Sequence, residues 1–363
     1  MRLLILLLIF LIFSPEIGLA SEPDSLKYVN ANELQLIGKG FTDTQSRYER
    51  LPARLEGKTR PGLWWLSKNC SGMAIRFRTN SPVIAAKWTV TGDVVMNHFA
   101  PSGIKGLDLY CFKNKRWQFV NSARPAGKST SAIIINHMEE SDKEYMLYLP
   151  LYDGLANLEI GVKSSATIDN PRIDSPRKDK PVVFYGTSIT QGGCASRAGM
   201  AYPNQLSRML DRQIINLGFS GNGQLDLEVA EAMAGIDASC FVIDCLPNVT
   251  VAQMEEKYAR FLAIIREKNP NVPILLVETI LFPHMYFDQT VYVLLQEKNK
   301  KLTEIFADQK KKGDRNISYM KADRLIGNDF ESTVDGVHLT DLGFLRISQN
   351  MYPVIRKLIN KNK

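Results

Sequence analysis

A serine, an aspartate and a histidine stand in this chain in an order that suits acyl transfer. The apolar run Val182-Val183-Phe184-Tyr185 ends in Gly186-Thr187-Ser188, and Asp335-Gly336-Val337-His338 follows near the C-terminus. A serine hydroxyl is a weak nucleophile until a base takes its proton. Imidazole is suited to that task, and a nearby carboxylate fixes which ring nitrogen is free to accept. Ser188, His338 and Asp335 fit these roles as nucleophile, base and orienter. The base predicts activity that rises with pH through the range in which an imidazole gives up its proton. Of the four histidines, His284 is the other one in the C-terminal half; it has no acid beside it in sequence and reads as a cleft-lining or surface residue.

Two further motifs could supply what a nucleophile and base lack, namely donors for the negative oxygen of a tetrahedral intermediate. Gly218-Phe219-Ser220-Gly221-Asn222-Gly223 follows a short strand run, and its glycine spacing is not that of a dinucleotide fingerprint. Close backbone approach to a ligand oxygen explains Gly221; an ordinary Gly-rich connection is the other reading. Asp244-Cys245-Leu246-Pro247-Asn248 follows a third strand run, where the Asn248 amide could donate to an oxyanion or simply shape a turn. Asn248-Val249-Thr250 is formally a glycosylation sequon, discounted because a strand-end Asn lining a cleft is a poor acceptor. The turn at Ser188 lacks the lysine of a phosphate-binding loop, which argues against a nucleotide. No C-x-x-C pair or histidine cluster is visible, so no metal and no cofactor is expected. The five cysteines form an odd set: Cys70, Cys111, Cys194, Cys240 and Cys245. A Cys194–Cys245 bridge is possible if their loops share a site, with two free thiols as the equal alternative.

The elements that must hold these groups fall into two halves. Met1-Arg2, the apolar run Leu3 to Phe13 and Gly18-Leu19-Ala20 read as a secretory signal over residues 1–20, giving a periplasmic or extracellular protein. The run is too short for a bilayer span, so no membrane association is expected after cleavage. Residues 21–175 carry short alternating runs such as Ala74 to Arg78, Val83 to Val90 and Leu107 to Tyr110, separated by turn residues, which predicts an all-β, jelly-roll-like sandwich. From 176 onward, strand runs alternate with helical spacing up to a final helix, which predicts α/β with a parallel sheet. Such sheets place their sites at the carboxyl ends of the strands, and each motif above follows a strand. A net charge of +7 spread along the chain reads as a solvated surface and gives no nucleic-acid partner.

The four motifs in this order resemble the SGNH (GDSL-like) hydrolases over roughly residues 180–363, and Gly106-Leu107-Asp108-Leu109-Tyr110 is similar to the Gly-x-Asp-Leu-Tyr signature of a β-domain that precedes some of them. The resemblance implies a flavodoxin-like three-layer α/β/α domain. It implies a triad of Ser188, Asp335 and His338, and an oxyanion hole made by Ser188, Gly221 and Asn248. The chain departs from the pattern twice: Gly-Thr-Ser stands for Gly-Asp-Ser, and Leu246-Pro247-Asn248-Val249 for Gly-x-Asn-Asp, so Asn248 is the position least supported by it. The expected activity is hydrolysis of a carboxylic ester, acetyl by preference, on a small molecule or glycan. A catalytically silent carbohydrate binder and an acyltransferase using the same serine are the alternatives. Trp64, Trp65, Trp88 and Trp117 read mostly as core. No exposed apolar surface of the kind a lipase wants is evident, and His98 reads as a surface-loop residue that reaches the site only if the two domains meet there.

Overall fold

The structure, a computed structural model, describes residues 25–323 and 325–360; the segment 1–20 read as a secretory signal lies outside them. The N-terminal half is a sandwich of antiparallel strands: β1 (Leu26–Asn30), β2 (Gln35–Ile37), β3 (Ala74–Thr79), β4 (Ile84–Val90), β5 (Leu107–Lys113), β6 (Arg116–Ala123), β7 (Ser129–Ile135), β8 (Lys143–Tyr148), β9 (Leu155–Lys163) and β10 (Ile168–Asp169). One sheet runs β1-β9-β4-β7 and the other β10-β3-β8-β5-β6, with β2 on β3. The period-2 alternation explains their packing. Ile75, Phe77, Leu109, Tyr145 and Leu147 point into the sandwich, where Trp88 is fully buried. The alternate residues Ala74, Tyr110, Met146 and Tyr148 point the other way, into a core shared with the C-terminal half. The second sheet is therefore buried on both faces, which is why Tyr145 to Leu149 is an unbroken apolar run.

The C-terminal half has five parallel strands, β11 (Arg177–Gly186), β12 (Arg212–Gly218), β13 (Cys240–Asp244), β14 (Ile274–Val277) and β15 (Ile317–Met320), in the order β12-β11-β13-β14-β15. The helices of the chain are α1 (Pro61–Ser67), α2 (Pro101–Ile104), α3 (Ser188–Gln191), α4 (Tyr202–Leu210), α5 (Leu227–Ala234), α6 (Val251–Lys268), α7 (Gln289–Lys311) and α8 (Asp341–Asn360). Val182 and Phe184 pack with residues of α4 and α8, while Val183 and Tyr185 pack with α5, α6 and α7 on the opposite face. This is the flavodoxin-like three-layer sandwich, preceded by an all-β sandwich. Among the described residues no helix is long and apolar enough to cross a membrane.

The halves interlock. Phe41, Leu51, Leu55, Leu63 and Leu66 from the N-terminal half lie in the hydrophobic core of the parallel sheet. Trp64 and Trp65 lie on α1, which Pro61 starts; Trp64 lies against the core and Trp65 is exposed, a helix the β-rich reading passed over. Arg50 is buried and donates to the carbonyls of Leu66, Asn69, Asn216 and Gly218, so one guanidinium ties this segment to the end of β12. Burial lowers its pKa to about 9, still well above neutrality. Gly106-Leu107-Asp108-Leu109-Tyr110 forms a second tie. Asp108 is fully buried and accepts from Arg197 Nη1 at 2.6 Å, the Gly199 N–H at 2.8 Å and Ser122 Oγ at 2.8 Å. Arg197 also donates to Tyr110 Oη at 2.7 Å. The signature thus grips the loop that follows α3.

Candidate active site

Ser188 opens α3 directly after β11. Thr187 Oγ1 caps the helix by accepting from the Ile189 N–H at 3.2 Å, a role open equally to the Asp of the family pattern. His338 Nε2 lies 3.0 Å from Ser188 Oγ, and His338 Nδ1 lies 2.7 Å from Asp335 Oδ2. Oδ1 of Asp335 accepts from the backbone N–H groups of Val337 at 3.0 Å and His338 at 2.7 Å. Partial burial pushes the Asp335 carboxyl up, but bonds from the His338 ring and from these two N–H groups outweigh it and hold the pKa at about 2. The carboxylate is therefore ionised across any working pH. It fixes the proton on Nδ1 and leaves the Nε2 lone pair facing the serine.

The loop 218–223 packs on the turn that carries Ser188. A Cβ at Gly223 would lie 2.1 Å from the Gly186 carbonyl oxygen, and one at Gly218 would lie 2.3 Å from the Gln191 nitrogen. Gln191 bridges the parts: its Oε1 accepts from the Ser220 N–H at 2.9 Å, and its Nε2 donates to Asn69 Oδ1 at 3.0 Å and the Leu151 carbonyl at 3.1 Å. Gly221 has φ +65°, and a Cβ there would meet nothing within 4 Å, so left-handed backbone is what requires glycine. Neither the Ser188 nor the Gly221 N–H has an acceptor among the described residues. Asn248 ends the short turn Leu246–Asn248 beyond β13, with its Oδ1 buried and unpartnered and its Nδ2 uncommitted. Lys298 Nζ holds that turn through the carbonyls of Leu246 at 3.2 Å and Pro247 at 3.3 Å.

Several residues at this centre have no sequence signal of their own. A Cβ on Gly193 would lie 2.7 Å from Tyr152 Oη, 3.2 Å from His338 Cδ2 and 3.2 Å from the Ser188 carbonyl. Tyr152, from the β-domain, donates to that carbonyl at 3.2 Å. His98 reaches the site after all: its ring centroid is 5.6 Å from that of His338. The surface-loop reading placed it too far out because nothing in sequence marks the docking of the two halves. All five cysteines are free. Cys194 and Cys245 cannot bridge because they lie in cores on opposite faces of the parallel sheet. Burial and the charge of Asp335 push the Cys194 thiol up to about 12. Asp244, at the end of β13, is buried beneath α3, where Tyr202 Oη donates at 2.6 Å and Thr190 Oγ1 at 3.3 Å; burial pushes its carboxyl up to about 7.

His284 packs against the triad loop, its Nδ1 2.8 Å from where a Gly336 Cβ would stand. Beside it, Tyr286, Phe287, Phe330 and Val334 are exposed, and Tyr286 and Phe330 meet edge to face at 5.2 Å. Tyr286 and Phe330 border a cavity of about 160 Å³ that Leu281, Pro283, Ile326 and Ser332 also line. An exposed apolar rim is therefore present where none was expected. The sequence distributes it over two loops, each of which reads as ordinary by itself.

A Ser–His–Asp relay at the strand ends of a flavodoxin-like sheet is the arrangement of a hydrolase. Residues 179–356 match the GDSL-like lipase/acylhydrolase family and residues 26–168 match the N-terminus of SGNH-hydrolase-type esterases. The chain is 38% identical, over 93% of its own length and 98% of the other's, to a Bacteroides ovatus protein described as a GDSL-like lipase, with a TM-score of 0.89. It belongs to this SGNH/GDSL hydrolase family. The fold is also that of a salicylyl-acyltransferase from a tetracycline biosynthetic pathway (18% identity, 92% and 97% coverage, TM-score 0.74). A family two carbohydrate esterase from Clostridium thermocellum, solved with cellohexaose, shares it too (12% identity, 80% and 93% coverage, TM-score 0.58). No curated protein matches the chain.

Proposed function

We propose that the protein is an exported serine esterase that removes a small acyl group, acetyl by preference, from a carbohydrate. The observation that carries this reading is the unbroken relay from Ser188 Oγ through His338 to Asp335. His338 Nε2 takes the Ser188 proton as Oγ attacks the acyl carbonyl carbon. The developing oxyanion is held by the N–H groups of Ser188 and Gly221 and by the Asn248 amide. His338 then gives its proton to the departing sugar oxygen, and the acyl group remains on Ser188. Water enters, loses a proton to His338 and attacks the acyl-enzyme; the acid leaves and Ser188 Oγ recovers its proton. Asp335 remains a carboxylate throughout and stabilises the imidazolium.

The carbohydrate assignment draws on the aromatic rim, since exposed Tyr286, Phe287 and Phe330 offer flat faces to sugar rings beside the triad loop. It draws also on a fold shared with carbohydrate esterases. The test has two arms. A fluorophosphonate probe labels the folded chain at Ser188 and fails to label Ser188→Ala. A panel of acetylated glycans then yields free acetate with wild type, and a sugar acceptor added in excess diverts none of it. An unlabelled folded protein refutes the esterase; acyl transfer to the acceptor in preference to water refutes hydrolysis.

A further inference from the structure

The triad loop, the loop after α3 and the β-domain bring three metal-ligating side chains together. One donor atom from each of His98, Cys194 and His338 lies within 4.8 Å of the other two. A tetrahedral zinc ion, with bonds near 2.0–2.1 Å to nitrogen and 2.3 Å to sulfur, holds its ligand atoms about 3.3–3.6 Å apart. Small closure suffices, and His98 can supply it because it sits exposed in the irregular segment between β4 and α2.

The hydrogen bonds already select the right nitrogens. His338 Nδ1 faces Asp335 Oδ2 at 2.7 Å, which leaves Nε2 with its lone pair toward the site. His98 Nδ1 faces Asn97 Oδ1 at 2.9 Å, an oxygen that only accepts, so its Nε2 likewise carries a lone pair and no proton. A ligating histidine whose other nitrogen is held by a carboxylate or amide oxygen is the usual supporting arrangement around bound zinc.

We infer that His98, Cys194 and His338 form a site for a borderline divalent metal ion of the zinc class, and that occupancy switches the hydrolase off. Binding exchanges the Cys194 proton for the metal: the thiol becomes a metal-bound thiolate and one proton goes to solvent. The same ion takes the Nε2 lone pair that would receive the Ser188 proton, so a metal-bound His338 is no base. No change of oxidation state is involved. The switching half of this inference rests on the esterase reading; the binding half does not.

Cobalt(II) titration of the metal-free full chain is the test of binding. One equivalent produces a thiolate-to-cobalt charge-transfer band, and zinc abolishes it by displacement. Absence of the band in folded wild type overturns the site whatever the activity. Zinc also inhibits hydrolysis of a chromogenic acetyl ester, and a chelator restores it. Expressed against each variant's own metal-free rate, the half-inhibiting zinc concentration rises at least about tenfold in His98→Ala and in Cys194→Ser, the least that loss of even a supporting group costs a metal site. Inhibition unchanged in both variants places the metal on the catalytic histidine alone and overturns the three-ligand site. If wild type shows no esterase activity, the cobalt band still decides binding, while loss of fluorophosphonate labelling separately decides the esterase.

Discussion

Replacing Asp335 by Asn tests the relay at one atom. Asp335 Oδ1 accepts two backbone N–H groups, at 2.7 and 3.0 Å, and the amide oxygen of Asn inherits both. The amide nitrogen is then left where Oδ2 stood, 2.7 Å from His338 Nδ1. Two donors cannot share that contact, so the ring takes the tautomer with its proton on Nε2. That proton faces Ser188 Oγ at 3.0 Å, and the nitrogen that should accept now donates. The geometry stands while the base is lost. A tautomer error of this kind in a serine triad lowers kcat about 10⁴-fold. At 1.36 kcal/mol per tenfold this is about 5 kcal/mol of lost transition-state stabilisation. Steady-state hydrolysis of a chromogenic acetyl ester at neutral pH gives kcat and KM separately, and a circular dichroism melt checks that the fold is retained. The loss falls on kcat. A decrease below about tenfold, or one confined to KM, would refute the assignment of Asp335 as orienter.

Gly193→Ala places a methyl 2.7 Å from Tyr152 Oη and 3.2 Å from His338 Cδ2, and kcat falls about 10–100-fold; adding Tyr152→Phe, which clears space, returns part of it, and failure of the double variant to recover refutes the crowding argument. Gly221→Ala costs about 1–2 kcal/mol in denaturant unfolding because φ is +65°, whereas Asn at the same position costs less; equal losses would point to space rather than backbone. Asp244 titrates near 7 in the fold against 3.8 for the ordinary side chain, so the native state binds the extra proton between those values and stability falls as pH rises through them. Asp244→Asn removes that slope, worth at most about 4 kcal/mol between pH 4 and 7, and parallel slopes in wild type and variant would disprove it. Asp108→Asn leaves Arg197 without its buried carboxylate and lowers unfolding free energy by about 3 kcal/mol; a change within about 0.5 kcal/mol would show the pair to be dispensable.

The sheet strands and the residues that meet as Ser188, His338 and Asp335 were legible because each rests on a local pattern. Val182 to Tyr185 reads as a buried strand whose alternate residues feed two cores, and a Ser turn and an Asp-x-x-His run are visible at a glance. What was not legible depends on docking. His98 and Tyr152 acquire their place only when the second sheet of the sandwich settles on the hydrolase, and the leucines of segment 41–66 find theirs only against the parallel sheet. The Cys194–Cys245 bridge looked open because chain order does not state which face of a sheet a side chain takes. Gly193 carries no motif, and its importance is a matter of three neighbours from three parts of the chain.

The grip of Asp108 on Arg197 and Gly199 gives the Gly-x-Asp-Leu-Tyr signature a grammar. Adding a Cβ to Gly199 would bring it within 2.5 Å of both the Asp108 carboxylate and the Tyr110 hydroxyl, so the signature admits only glycine opposite itself and asks for a cation two residues before it. Arg197-Ala198-Gly199 is the reply to that request, written a few residues after Ser188. The signature is therefore one half of a two-part address, and grafting this β-domain onto another hydrolase amounts to transplanting a key without its lock unless the Arg-x-Gly half travels with it.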